Sequence, residues 1–77
     1  DILFCESTYL DEMKEQAEIR EHMTSTQAAT IAKKAKVKKL VLVHFSQRYK
    51  DLSLFSTEAK KTFSNVLIGK DLQTFTL

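Results

Sequence analysis

Apolar residues follow two different rhythms along the chain. "ILFC" (residues 2–5) and "KLVLV" (39–43) are short, continuous apolar runs with the composition of buried strands. Between them Leu10, Met13 and Ala17, joined by the stem of Arg20, recur at three-to-four spacing and predict an amphipathic helix over 8–21. "MTST" (23–26) offers several N-caps for a second helix over 27–35, where Ala28, Ala29, Ile31, Ala32 and Ala35 form a narrow apolar face suited to close packing. Residues 45–55 are irregular. Ser56 or Thr57 can cap a third helix running to about residue 65, with Ala59 and Phe63 facing inward. "VLI" (66–68) and "LQTFTL" (72–77) are strand material on either side of Gly69 and Asp71, where a hairpin-like turn fits.

The predicted order is β-α-α-β-α-β-β, an α/β layered arrangement whose first strands are parallel. Continuous apolar strands such as "LVLV" are normally covered on both faces. If the crossovers run the same way across the sheet, their right-handedness places the helices on one face. The other face is then expected to be bare, and to be covered by the rest of a parent chain or by a partner.

With 77 residues the chain is long enough for one small domain with a marginal core. At 43% hydrophobic and 29% charged it is globular rather than disordered material. The net charge is only +2, but Lys33, Lys34, Lys36, Lys38 and Lys39 crowd one segment. Such a cluster attracts polyanions, yet its commoner role is a solvated helix end that complements the helix dipole. A single cysteine, Cys5, excludes an internal disulfide framework and reads as a small buried hydrophobe. No apolar run reaches the length of a membrane span and no secretory signal is visible, so the expected setting is cytoplasmic, with no membrane partner. The chain opens directly into "DILFC" without an initiating Met, which reads as a cut through a longer protein.

Three residues carry candidate chemistry. His44 follows a buried strand directly, where side chains of α/β proteins project into the ligand crevice. It can serve as a metal ligand, a general base or a structural residue, and no HxH, HExxH or CxxC lies nearby to complete a site. His22 stands between two helices with Thr24, Ser25 and Thr26 after it, so hydroxyls and free backbone N–H groups gather beside the imidazole. An exposed histidine in a capping loop explains that segment equally well. Glu6 ends the first strand. If that strand neighbours the one ending at His44, a carboxylate and an imidazole share one sheet edge, and a carboxylate fixes a histidine's tautomer and favours its protonated form.

Taken together, "CEST", "HMTSTQAATIAKKAKVKKLVLVHFSQRY" and "EAKKTF" resemble the C-terminal part of ribonuclease Z, the tRNA 3′-processing endonuclease of the metallo-β-lactamase fold. The family pattern in this region is a strand ending in HEAT or HEST, then HSTA-QAA-IA, then L-L-THFS-RY. The resemblance spans nearly the whole chain, and the 22 positions from His22 to His44 fit it. It implies that the chain, residues 1–77, is the C-terminal part of an αβ/βα sandwich. His44 then looks like the last histidine ligand of a two-zinc site, in which other divalent metals are not excluded. His22 looks like the proton donor to the leaving 3′ oxygen, with Glu6 as its carboxylate partner. Arg48 matches an arginine that meets RNA phosphate, and Thr24 a threonine that caps the helix or approaches the substrate.

The implied partners are precursor tRNA, an N-terminal portion of the same protein, and a second copy of the parent enzyme in a homodimer. Four positions depart from the pattern: Cys5 for His, Met23 for Ser, Gln47 for Pro and Lys36 for Gly. The HxHxDH motif, a further His and a bridging Asp belong upstream in the family and are absent here, so these residues alone are expected to be inactive. Two alternatives stand beside this reading. One is a part of another phosphodiesterase of the same fold; the other is a non-catalytic structural or RNA-binding half.

Overall fold

A computed structural model describes residues 1–69 of the chain, so the strand expected over 72–77 and the turn at Asp71 lie outside the described residues. Strands β1 (Ile2–Glu6), β2 (Lys39–Val43) and β3 (Val66–Ile68) form a parallel sheet in the order β1-β2-β3. Ile2 pairs with Lys39 through to Glu6 with Val43, and Leu40 pairs with Val66 through to Leu42 with Ile68. Helices α1 (Lys14–Ile19) and α2 (Ser25–Ala35) connect β1 to β2, and α3 (Ser53–Ala59) connects β2 to β3. Among the described residues no helix is long and apolar enough to cross a membrane.

The first helix is shorter than its periodicity predicts. It begins as a 3-10 turn, Asp11–Met13, and only six residues of α1 follow. Residues 8–10 are withheld because Tyr9 pairs as an isolated parallel bridge with Thr24: Tyr9 N–H donates to Met23 C=O at 3.3 Å, and Ser25 N–H to Tyr9 C=O at 3.1 Å. Glu21, at φ 58°, closes the other end. Helix α2 starts two residues earlier than expected, on a complete capping box. Thr24 Oγ1 accepts from Gln27 N–H at 3.2 Å and Gln27 Oε1 from Thr24 N–H at 3.0 Å, satisfying two donors that a helix start otherwise leaves unmet. Helix α3 also starts early, at Ser53, where the Asp51 carboxylate accepts from the Ser53 N–H at 3.1 Å and hydroxyl at 2.6 Å.

The core lies between the sheet and the α2–α3 layer. Leu40 and Leu42 meet Ala28, Ala29 and Ala32 of α2 and Phe55 and Ala59 of α3, all fully buried. The alanines let α2 approach the strands closely, while Phe55 fills the space beneath the 45–52 loop. Its ring meets those of Phe45 and Tyr49 edge-on at centroid distances of 4.7 and 4.9 Å. Phe55 is the largest fully buried side chain among the described residues, and truncating it would remove about 3–5 kcal/mol of packing.

Both helices pack on one sheet face, as right-handed crossovers require. The opposite face is not bare throughout, as was expected. Ile2 and Leu67 are 54% and 42% exposed on it, but Val41 and Val43 are buried at its centre. Gly69 lies hard against those two valines: a Cβ there would come within 3.0 Å of Val41 Cγ1 and Val43 Cγ1.

Candidate functional site

Because β1 and β2 are adjacent and parallel, their C-terminal ends open on one rim of the sheet. Glu6 pairs with Val43 there, which puts His44 one residue beyond Glu6's neighbour. The connection between 17 and 25 brings His22 to the same rim, anchored by its N–H to Ala17 C=O at 2.7 Å. Glu6, Glu21, His22 and His44 together line a cleft of about 320 Å³. The three residues read from the sequence thus converge.

Glu6 is the organiser of this rim. Its Oε2 accepts from Thr8 Oγ1 at 2.6 Å and from Thr8 N–H at 3.2 Å. Its Oε1 accepts from Met23 N–H at 3.0 Å and faces His22 Nδ1 at 3.3 Å. Four donors around one carboxylate hold its plane fixed, and an imidazole donating through Nδ1 leaves Nε2 for another group. The Tyr9 ring supports the other side of His22 edge-on, at 6.2 Å between centroids. The His22 side chain remains 45% exposed, so a ligand in the cleft can reach it.

His44 adopts φ 58°, a left-handed backbone, immediately after the strand. Its exposed side chain stands between the cleft and a second cavity of about 430 Å³, bounded by the 45–52 loop and Gly69. Glu21 also has φ 58°, and sequence reasoning missed it as a cleft residue. A glutamate at the end of a helical pattern carries no mark of a left-handed turn, so no local signal announced it.

The two remaining candidates are placed elsewhere. Thr24 is fully buried; besides capping α2, its hydroxyl donates to Asp11 Oδ1 at 3.2 Å. Arg48 is exposed but lines neither cavity, and its Nη1 lies 3.7 Å from Met13 Sδ. Behind the rim, Cys5 is half-buried, and burial, with the Glu6 charge second, pushes its thiol above the ordinary value of 9.0. It is a neutral thiol, not a thiolate nucleophile. Among the described residues no three His, Cys, Asp or Glu side chains form a metal-binding group.

No family model matches the chain. Among curated proteins, it is 53% identical over 74 residues to "Ribonuclease Z" of Protochlamydia amoebophila, covering 96% of this chain and 24% of that protein. It is 45% identical to "Ribonuclease Z" of Chlamydia pneumoniae with the same coverage, and 49% identical over 72 residues to that of Nitrosopumilus maritimus. The chain therefore spans about a quarter of the length of the curated relatives it matches. Among solved structures it resembles the metallo-β-lactamase fold protein YhfI from Bacillus subtilis, at a TM-score of 0.72 and 27% identity over 88% of this chain and 27% of that one. By sequence over almost its whole length the chain is homologous to the C-terminal part of ribonuclease Z, and its α/β fold is that of a metallo-β-lactamase segment.

Proposed function

We propose that this chain is the C-terminal portion of a metal-dependent endoribonuclease that removes 3′ trailers from tRNA precursors by phosphodiester hydrolysis. The observation that carries the reading is the convergence of Glu6, His22 and His44 on one open cleft, in a chain about half identical to ribonuclease Z. His22 acts as the proton donor. As the imidazolium it donates Nδ1–H to the Glu6 carboxylate. It passes its Nε2 proton to the ribose 3′ oxygen as a water oxygen bonds to phosphorus and the P–O3′ bond breaks, leaving the neutral ring. An alkoxide is a poor leaving group near neutral pH, and a positioned imidazole of this kind contributes about 10²–10⁴-fold.

His44 contributes one ligand to a metal site whose other ligands come from an upstream portion of the protein. Its exposed imidazole fits that role, while the described residues supply no complete ligand set. Two Zn²⁺ ions bound there would supply an activated water and charge stabilisation of the phosphodiester. Arg48, on the exposed loop after β2, meets substrate phosphate through its planar guanidinium. Thr24 serves the substrate indirectly, by fixing the start of α2 next to His22. The enzyme works in the cytoplasm, as a homodimer of full-length chains.

Two substitutions in the full-length protein test this. His22→Ala should lower the rate of precursor cleavage by about 10²-fold or more with bound zinc near normal. His44→Ala should lower zinc content, measured by atomic absorption, along with activity. Parental turnover in both variants would refute the assignment.

A further inference from the structure

We infer that Cys5 and Met23 are positioning residues, whose sulfur–sulfur contact holds the Glu6 carboxylate against His22. Each immediately flanks a member of the pair, Cys5 before Glu6 on β1 and Met23 after His22. Cys5 Sγ lies 3.8 Å from Met23 Sδ. Met23 is thereby fastened at three points: its side chain by Cys5, its N–H by Glu6 Oε1 at 3.0 Å, and its C=O by Tyr9 N–H at 3.3 Å.

The geometry makes this contact consequential. Glu6 Oε1 accepts from Met23 N–H and faces His22 Nδ1, so the place of Met23 decides how the carboxylate presents itself to the imidazole. At 3.3 Å the Nδ1–Oε1 bond is already long for a hydrogen bond to a charged group. Displacing the 22–23 segment by a few tenths of an ångström would break it. The contact itself is weak, since a thioether and a thiol attract one another only softly. What it supplies is shape. A small Cys against a long, flexible Met fills the space between β1 and the histidine-bearing segment. Burial keeps the Cys5 thiol neutral, so no second anion competes with Glu6 for the imidazole.

The catalytic part of this inference rests on the function proposed for His22; the positioning part does not. The test exchanges the two side chains in the full-length protein: Cys5→Met, Met23→Cys, and both together. The double variant keeps the summed volume that each single variant disturbs. Each single exchange should lower kcat for precursor cleavage about 10-fold with KM little changed, and the double exchange should recover most of the loss. Crystal structures of the variants give an independent reading: the Nδ1–Oε1 separation should lengthen in the singles and return in the double. Cys5→Ala, which removes the sulfur without adding bulk, gives the same reading where a single exchange does not fold. An unchanged separation in the singles overturns the inference whatever the rates. A lengthened separation with unchanged kcat upholds the positioning and counts against His22 as the proton donor.

Discussion

At the scale of single residues, the most informative feature is where the chain takes a left-handed backbone. Glu21, Lys36 and His44 all have φ 58°, although none is glycine. The chain's one glycine, Gly69, lacks a positive φ and serves instead as the small residue beside Val41 and Val43. Two of the three left-handed residues border the cleft, so the rim holds backbone strain that a glycine would relieve. Left-handed conformation costs a non-glycine residue about 1–2 kcal/mol, somewhat less for histidine, which is enriched there. His44→Gly should therefore raise the unfolding free energy by about 1 kcal/mol, less the larger entropy of glycine in the unfolded chain. Urea denaturation measures it, and a clear loss of stability would show that contacts of the imidazole outweigh the strain. The places of Glu6 and His44 at strand ends were legible in the sequence because those ends change abruptly from apolar to polar, whereas what singled out these two and His22 together was the family resemblance. Glu21 was not legible, because a left-handed glutamate looks like any other.

The elements differ in how far local pattern decides them. Strands β1, β2 and β3 were legible because short apolar runs in a buried parallel sheet have few other places to go. Helix α2 was nearly complete in the sequence, since alanine periodicity and a hydroxyl cap agree about it. The first helix was over-read. Its period continues through Leu10, but the Tyr9–Thr24 bridge, a contact between segments far apart in sequence, takes the first residues for extended structure. The start of α3 was missed because Asp51 caps it from inside a loop without periodicity. Thr24 is the residue on which both α2 and the bridge depend. Thr24→Ala deletes the cap acceptor for Gln27 N–H and the donor to Asp11, and should cost about 1–2 kcal/mol. Thr24→Ser should retain most of that. An alanine variant as stable as the parent in the same urea experiment would mean that the capping box contributes little.

Over the whole molecule, a net charge of +2 conceals a sharp separation. Asp11, Glu12, Glu15, Glu18 and Glu21 lie along the 3-10 turn, α1 and the turn after it. The lysine run 33–39 sits where α2 ends and β2 begins, at the opposite edge of the sheet from the cleft. The end of α3 lies elsewhere: the Glu58 carboxylate accepts from the Asp11 N–H and the Ser25 hydroxyl, and Lys61 lines a cavity with Glu12 and Glu58. Five of the twelve basic residues share the α2–β2 junction, four of them exposed, and no salt bridge among the described residues engages them. The C-terminus of α2 there attracts cations, worth about 0.3–1 kcal/mol each at low salt. That attraction falls off within the last turn, whereas repulsion among five lysines extends across the whole cluster. Raising sodium chloride from about 10 mM to about 150 mM shortens the screening length from about 30 Å to about 8 Å, which should relieve the repulsion more than it weakens the helix-end attraction. The urea midpoint of the chain is thus expected to rise with salt over this range. In the Lys36→Gln, Lys38→Gln double variant the midpoint at low salt should already be higher, and its salt dependence smaller. A midpoint that falls with salt in the parent chain would mean that the lysines are net stabilising where they stand, with the carbonyl end of α2 outweighing their mutual repulsion.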